Sequence, residues 1–325
     1  MQGISTCISV LACAGESGES IVRAHYLGKA SISAATSSSD FMTNTRYHAV
    51  DHVMLRLLDV EPLLSLFGTI FDLPISWPKQ SNSFATFAWV HVGNTDLEFW
   101  AATSNADLPP DSQPPLFHGF ALDPVNLTTS IADLAKDGIR CKSPRPYQTE
   151  GAGGTLVTNF TNSVVLDLSS ASCCVFFCAW EPEGTIFPWA ERLTAAARRS
   201  RDQKELVKRK GGPLGLVGLS AIEMSTPTLD ATVEKWRALT GSAGSPLALT
   251  SGIDLHLMPG TDHKIQSLTF EVKSLEIAKT FLISKHLLGR SSARELTLAT
   301  QATAGLAFSF IEGKIESPRT RRLKV

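Results

Sequence analysis

From residue 50 onward the chain repeats one pattern four times, and this limits the possible folds more than any other feature. Each copy opens with an apolar strand, passes into a short helix and ends in further strands. The first copy predicts a strand over 50–57 and a helix over 60–68. Asp59 is its candidate N-cap, and Pro62 lies in its first turn. Strands over 84–92 and 95–101 follow, with Gly93-Asn94 as the tight turn between them. The second copy predicts a strand over 119–122, a helix over 127–137 stopped by Gly138, and strands over 155–160, 164–168 and 173–180. The third has a strand over 217–224, a helix over 229–239 stopped by Gly241, and a hairpin within 248–257. The fourth has a strand over 265–272, a helix over 275–288 stopped by Gly289, and strands over 296–299 and 306–311.

Between the second and third copies lies an Ala-, Arg- and Lys-rich helical stretch over 190–212 that ends in Lys210-Gly211-Gly212-Pro213. It reads as a link between domains, its basic residues forming a solvated face. The expected division is a leader over 1–45, a first domain over 46–181, a linker helix within 182–213, and a second domain over 214–325 with a basic tail. The leader holds nine serines and three acids, Glu16, Glu19 and Asp40, which suits a disordered segment or an organelle transit peptide. A net charge of −1 gives no electrostatic reason to bind nucleic acid. No apolar run approaches the roughly 20 residues that a spanning helix requires. Six scattered cysteines, two of them adjacent at Cys173-Cys174, make a poor disulfide framework. They imply reduced thiols and an intracellular site, cytoplasmic or organellar. The sequons at Asn126 and Asn159 are read as chance matches. The expected partner is a small molecule, with no nucleic acid and no membrane, and nothing sets an oligomeric state.

On the strand over 50–57, alternation puts His52, Met54 and Arg56 on one face. Two later segments can meet that face: Thr95 to Trp100, carrying Glu98, and Leu116 to Leu122, carrying His118. Two imidazoles and a carboxylate suit Zn, Ni, Co, Mn or Fe(II), and leave coordination positions open for water and a chelating substrate. His52 and His118 can equally be hydrogen-bonded core residues with no metal. His48 is a rival ligand, and His91 is expected at the surface.

The motifs Asp51-His52-Val53, Leu97-Glu98 and Phe117-His118-Gly119-Phe120, in this order and with the repeat behind them, resemble the glyoxalase/bleomycin-resistance/extradiol-dioxygenase group, the vicinal oxygen chelate superfamily. The resemblance covers about residues 48–315. It implies an α+β fold of four βαβββ modules, paired into two domains with curled, mostly antiparallel sheets. It also implies a divalent metal held by His52, Glu98 and His118, with Glu98 the catalytic carboxylate. The family's fourth ligand is a glutamate, and Ala179 stands in its place within Val175 to Trp180. That departure weakens the case for glyoxalase I chemistry, in which this glutamate also moves the proton. The second half matches with Ser220, His256 and Gln266, too few ligands for a site, and is expected to be a degenerate domain.

Trp100 shares parity with Glu98, and Phe120 with His118. These two, with Trp180 and Arg56, are the expected pocket wall, Arg56 holding a substrate carboxylate or forming a salt bridge. The expected function is a metal-dependent lyase or isomerase of the glyoxalase type, acting on a small carbonyl or hydroxyl compound. The alternatives are an Fe(II) dioxygenase and a non-catalytic small-molecule binder.

Overall fold

The computed structural model describes residues 46–151, 154–250 and 252–313, so the expectations for the leader and the basic tail lie outside the described residues. The first module is β1 (Tyr47–Arg56), α1 (Glu61–Leu64), β2 (Ile75–Ser81), β3 (Ala85–His91) and β4 (Asp96–Ala102). The second is β5 (Leu116–Pro124), α2 (Leu127–Lys136), β6 (Arg145–Glu150), β7 (Leu156–Val164) and β8 (Cys174–Trp180). They share one eight-stranded sheet in the order β2-β3-β4-β1-β5-β8-β7-β6. The first strand of each module runs parallel to its last, while β1 and β5 are antiparallel neighbours at the centre. Each of these two modules is a curled βαβββ unit, as the resemblance implied.

Two strands escaped the sequence pattern, β2 and β6. Pro78 interrupts the first and Pro146 the second, and proline breaks the apolar alternation that marks a strand. Both lie at the edges of the sheet, where a missing N–H leaves no ladder bond unmade. The predicted strand over 164–168 is instead the end of β7 followed by a 3-10 turn, Leu166–Leu168. The predicted helix over 60–68 has one α turn and then a π-helical segment, Ser65–Ile70.

A helix, α3 (Ala195–Lys208), precedes the second sheet. That sheet is built from β9 (Leu216–Thr226), α4 (Leu229–Thr240), β10 (Leu247–Thr250), β11 (Ile253–Pro259), β12 (Lys264–Val272), α5 (Leu275–Ser284), β13 (Leu288–Ser291), β14 (Leu296–Leu298) and β15 (Ala307–Glu312). Its order is β10-β11-β9-β12-β15-β14-β13. The third module therefore has two strands after its helix, not three. Gly241 ends α4 with φ +71°, as expected. The fourth helix ends at Ser284, not 288, because residues 288–291 pair with β14.

The halves share one core. Phe67, from the π-helical segment, lies 5.7 Å from Phe99 of its own sheet, and 6.3 and 5.3 Å from Phe270 and Phe308 of the other. Phe120 of β5 stacks on Trp236 of α4, with ring centroids 5.8 Å apart. The opposite face of the first sheet is left free to line a cavity.

Gly119 holds β5 against β8 where no side chain fits. Its φ is +129°, and a Cβ there would stand 1.9 Å from the carbonyl oxygen of Cys174. Gly119→Ala is expected to destabilise the protein by ~3 kcal/mol or more in urea unfolding. Gly138→Ala, also at positive φ but with nothing within 4 Å, should cost much less.

Candidate functional site

The site begins with a register fault. Against β5, strand β1 steps from Val50 to His52 while its partner steps only from Leu122 to Ala121. Asp51 is the extra residue of a β-bulge, which re-aims side chains locally. Alternation would put Asp51 and His52 on opposite faces. The bulge brings them together, and His52 Nδ1 lies 2.9 Å from Asp51 Oδ2. With Nδ1–H donated to that carboxylate, the other ring nitrogen, Nε2, keeps its lone pair. It lies 3.4 Å from Glu98 Oε2 on β4.

Asp51 is fully buried and accepts four hydrogen bonds. Trp180 Nε1 donates to Oδ2 at 2.9 Å, alongside His52. Arg198 Nη2 and Arg199 Nη1, both from α3, donate to Oδ1 at 2.7 and 2.9 Å. Burial pushes the Asp51 carboxyl up, but Arg198, His52 and Arg199 together hold it far below the usual carboxylate range. The Arg198 guanidinium lies 5.2 Å from the ring centroids of both Trp89 and Trp180. Arg199 also donates to Asp123 Oδ2 at 2.6 Å. The basic face of α3 is thus not the solvated linker face expected of it. Arg198 is 2% exposed, and the helix is part of the site.

His52 and Glu98 line a cavity of about 300 Å³ whose other walls are mostly aromatic, including Trp77, Trp89, Trp100, Trp180, Phe160 and Phe176. Burial raises the Glu98 pKa above that of an ordinary glutamate, with Asp51 adding to the rise and His52 opposing it. Trp100 and Trp180 are pocket wall, as the sequence predicted. Ile186, in the segment between β8 and α3, also lines the cavity, and Phe187 beside it packs on Trp77 and Trp180 at 5.8 and 5.7 Å.

Four expectations are corrected. His118 does not join His52 and Glu98. It is the extra residue of a second bulge, where β1 steps from Met54 to Leu55 and β5 from Gly119 to Phe117. It is fully buried, does not line the cavity, and has no well-formed hydrogen bond to either ring nitrogen. Burial, with Arg56 nearby, lowers its pKa to about 4 and keeps it neutral. Phe120 faces the shared core, so the β5 residue opposite His52 is Ala121. Arg56 is the salt bridge, not a substrate clamp: it donates to Asp107 at 2.7 and 2.8 Å and to Asn105 at 3.0 Å. Ala179, in the place of the family's fourth ligand, does not line the cavity, to which β8 presents Phe176, Cys178 and Trp180. Of the remaining histidines, His48 is exposed. His91 is fully buried, not at the surface, with Nδ1 2.9 Å from Asp96 Oδ1. In the second sheet His256 is exposed and Glu223 is bonded to Ser267, so no second site forms from the matched positions.

The donor set therefore stops at two. Among the described residues no group of three or more His, Cys, Asp or Glu side chains is placed to hold a metal ion. His52 alone has the form of a ligand, since its Nδ1 is tied to a carboxylate.

Asp51 and Glu98 give predictions of opposite sign. Arg198→Met leaves the buried Asp51 charge partly uncompensated and should cost ~3 kcal/mol in urea unfolding. The folded-state pKa of Asp51 is lowered, so its contribution is present at neutral pH and fades only as acid brings the pH down past the unfolded carboxylate value. Glu98 has a raised folded-state pKa. Its contribution is full below the unfolded value near 4.5 and is lost as pH rises through the folded value. Glu98→Gln is therefore expected to raise the melting temperature at pH 8 and to flatten its dependence on pH above 5.

No family model matches the sequence, and no curated protein matches it. Solved structures do. A triple mutant of 4-hydroxymandelate synthase from Streptomyces coelicolor superposes with TM-score 0.53 at 11% identity, covering 82% of this chain and 93% of that one. The 2,3-dioxygenase LapB from Pseudomonas sp. KL28 gives 0.52 at 13% identity, covering 83% and 94%. Homoprotocatechuate 2,3-dioxygenase from Arthrobacter globiformis gives 0.51 at 9% identity, covering 87% and 85%. The likeness is one of fold. Among the described residues no helix is long and apolar enough to cross a membrane.

Proposed function

Starting from the vicinal oxygen chelate fold that this chain has, we propose that the protein binds one small, flat, largely apolar molecule in the cavity of the first sheet, with the molecule's polar group on the His52–Glu98 pair. One observation carries this reading. The cavity is walled with aromatic rings, and among the described residues no group of three or more His, Cys, Asp or Glu side chains is placed to hold a metal ion. Such a pocket holds a ligand by shape and apolar contact and orients it with a few polar groups.

Two observations favour a second, enzymatic reading. The Asp51-His52-Glu98 chain has the form of an acid–base relay, because Asp51 fixes the tautomer and Nε2 faces both the glutamate and the cavity. The same carboxylate-backed imidazole beside a glutamate supplies two donors toward a divalent metal, the cofactor the fold resemblance implies. Among the described residues these two donors are not completed to a three-ligand centre.

Protein purified without chelators is expected to hold well under ~0.2 equivalents of Mn, Fe, Co, Ni or Zn by elemental analysis, and to bind benzyl alcohol saturably by tryptophan fluorescence. Trp100→Ala should weaken that binding ~10-fold. About one equivalent of metal, lost in His52→Ala, would replace the binding reading with the metal-enzyme one.

A further inference from the structure

The electrostatic pattern around the cavity narrows the class of molecule, on the premise that the cavity is a binding site. Three arginines that pack near its walls are each held by a carboxylate. Arg198 and Arg199 pair with Asp51 and Asp123, and Arg56 pairs with Asp107. Among the described residues no lysine or arginine side chain lines the cavity, and Glu98 is the only carboxylate that does. Among the described residues Glu98 has no salt bridge to an arginine or lysine; its neighbours are His52 Nε2 at 3.4 Å and the Trp89 side chain. Trp77, Trp89, Trp100, Trp180 and Tyr147 stand around it. Aromatic faces carry the negative lobe of the ring quadrupole, and a cation held against several of them, away from water, is stabilised by about 2 kcal/mol or more. A neighbouring wall residue, Asn162, has a buried side-chain oxygen with no partner, an acceptor suited to an N–H donor. An anionic ligand finds none of this. It would meet a carboxylate and ring faces, with no free cation to receive it.

We propose that the cavity selects a compact organic ammonium ion, a protonated or quaternary amine on a small apolar body, with Glu98 as its counter-charge and the tryptophan and tyrosine rings as its cage. The ordinary apolar pocket would accept a neutral molecule of the same shape equally well. The lone carboxylate and the absence of lining cations favour the charged form.

The test compares two probes of one shape, benzyltrimethylammonium and its carbon isostere neopentylbenzene, titrated into the full chain at pH 7.5 and followed by tryptophan fluorescence. The cation is expected to bind at least ~10-fold more tightly than the isostere. Glu98→Gln should remove most of that preference, read as the ratio of the two affinities in the same variant, and a cooperative thermal melt shows that the variant is folded. If the isostere binds as tightly as the cation, or if Glu98→Gln keeps the full preference, the ammonium inference is overturned while the cavity remains a binding site. If neither probe binds at millimolar concentration, the ammonium inference and the binding reading both fall.

Discussion

Four donors from three separate parts of the chain converge on one carboxylate, Asp51, and the geometry of the site follows from that convergence. A buried ionised carboxylate with no partner is among the costliest groups a protein interior can hold, so each donor is under strong constraint. His52 is fixed in tautomer and tilt because Asp51 takes its Nδ1 proton. Trp180 is fixed because its indole donates to the same oxygen. Arg198 is fixed on the other oxygen and packs against the rings of Trp89 and Trp180. The carboxylate thus orients a polar group and two aromatic walls of the cavity together, without itself lining it.

The fold was largely legible in the sequence because it repeats. Apolar alternation gave the central strands β1, β5, β9 and β12, and Gly241 marked the end of a helix through the left-handed turn that only glycine adopts without strain. Pro78 and Pro146 hid the edge strands for a local reason that has no bearing on whether a strand forms there. The site was half legible. His52, Glu98 and Trp100 follow from strand parity, and all three line the cavity, as does Trp180. His118, Phe120 and Asp51 do not follow from it, because two bulges between β1 and β5 break the period of two on which parity rests. A bulge is set by pairing with a distant strand, and nothing in Asp51-His52 or His118-Gly119 taken alone announces one. Arg198 and Arg199 were missed because a basic helix usually faces water, and only the long-range partner shows that this one does not.

The two halves have diverged in different ways. In the first, the fold's concave face is kept and filled with aromatic rings. In the second, the third module has lost a strand, His256 has turned to solvent, and Glu223 is occupied by Ser267. What the second half retains is its apolar face, where Phe270, Phe308 and Trp236 meet Phe67 and Phe120. Its contribution to the first half is support for the side of the sheet that faces away from the cavity.

The origin of the arginines bears on how the chain is made. Asp51 leaves the ribosome long before Arg198, 147 positions later in sequence, yet neither is stable in its final place alone. The eight strands of the first sheet are all synthesised before the helix that neutralises their buried charge. Without α3 the Asp51 carboxyl would have to stay hydrated or take up a proton. A chain ending before residue 195 would carry every strand of the first sheet but neither arginine that holds Asp51 ionised.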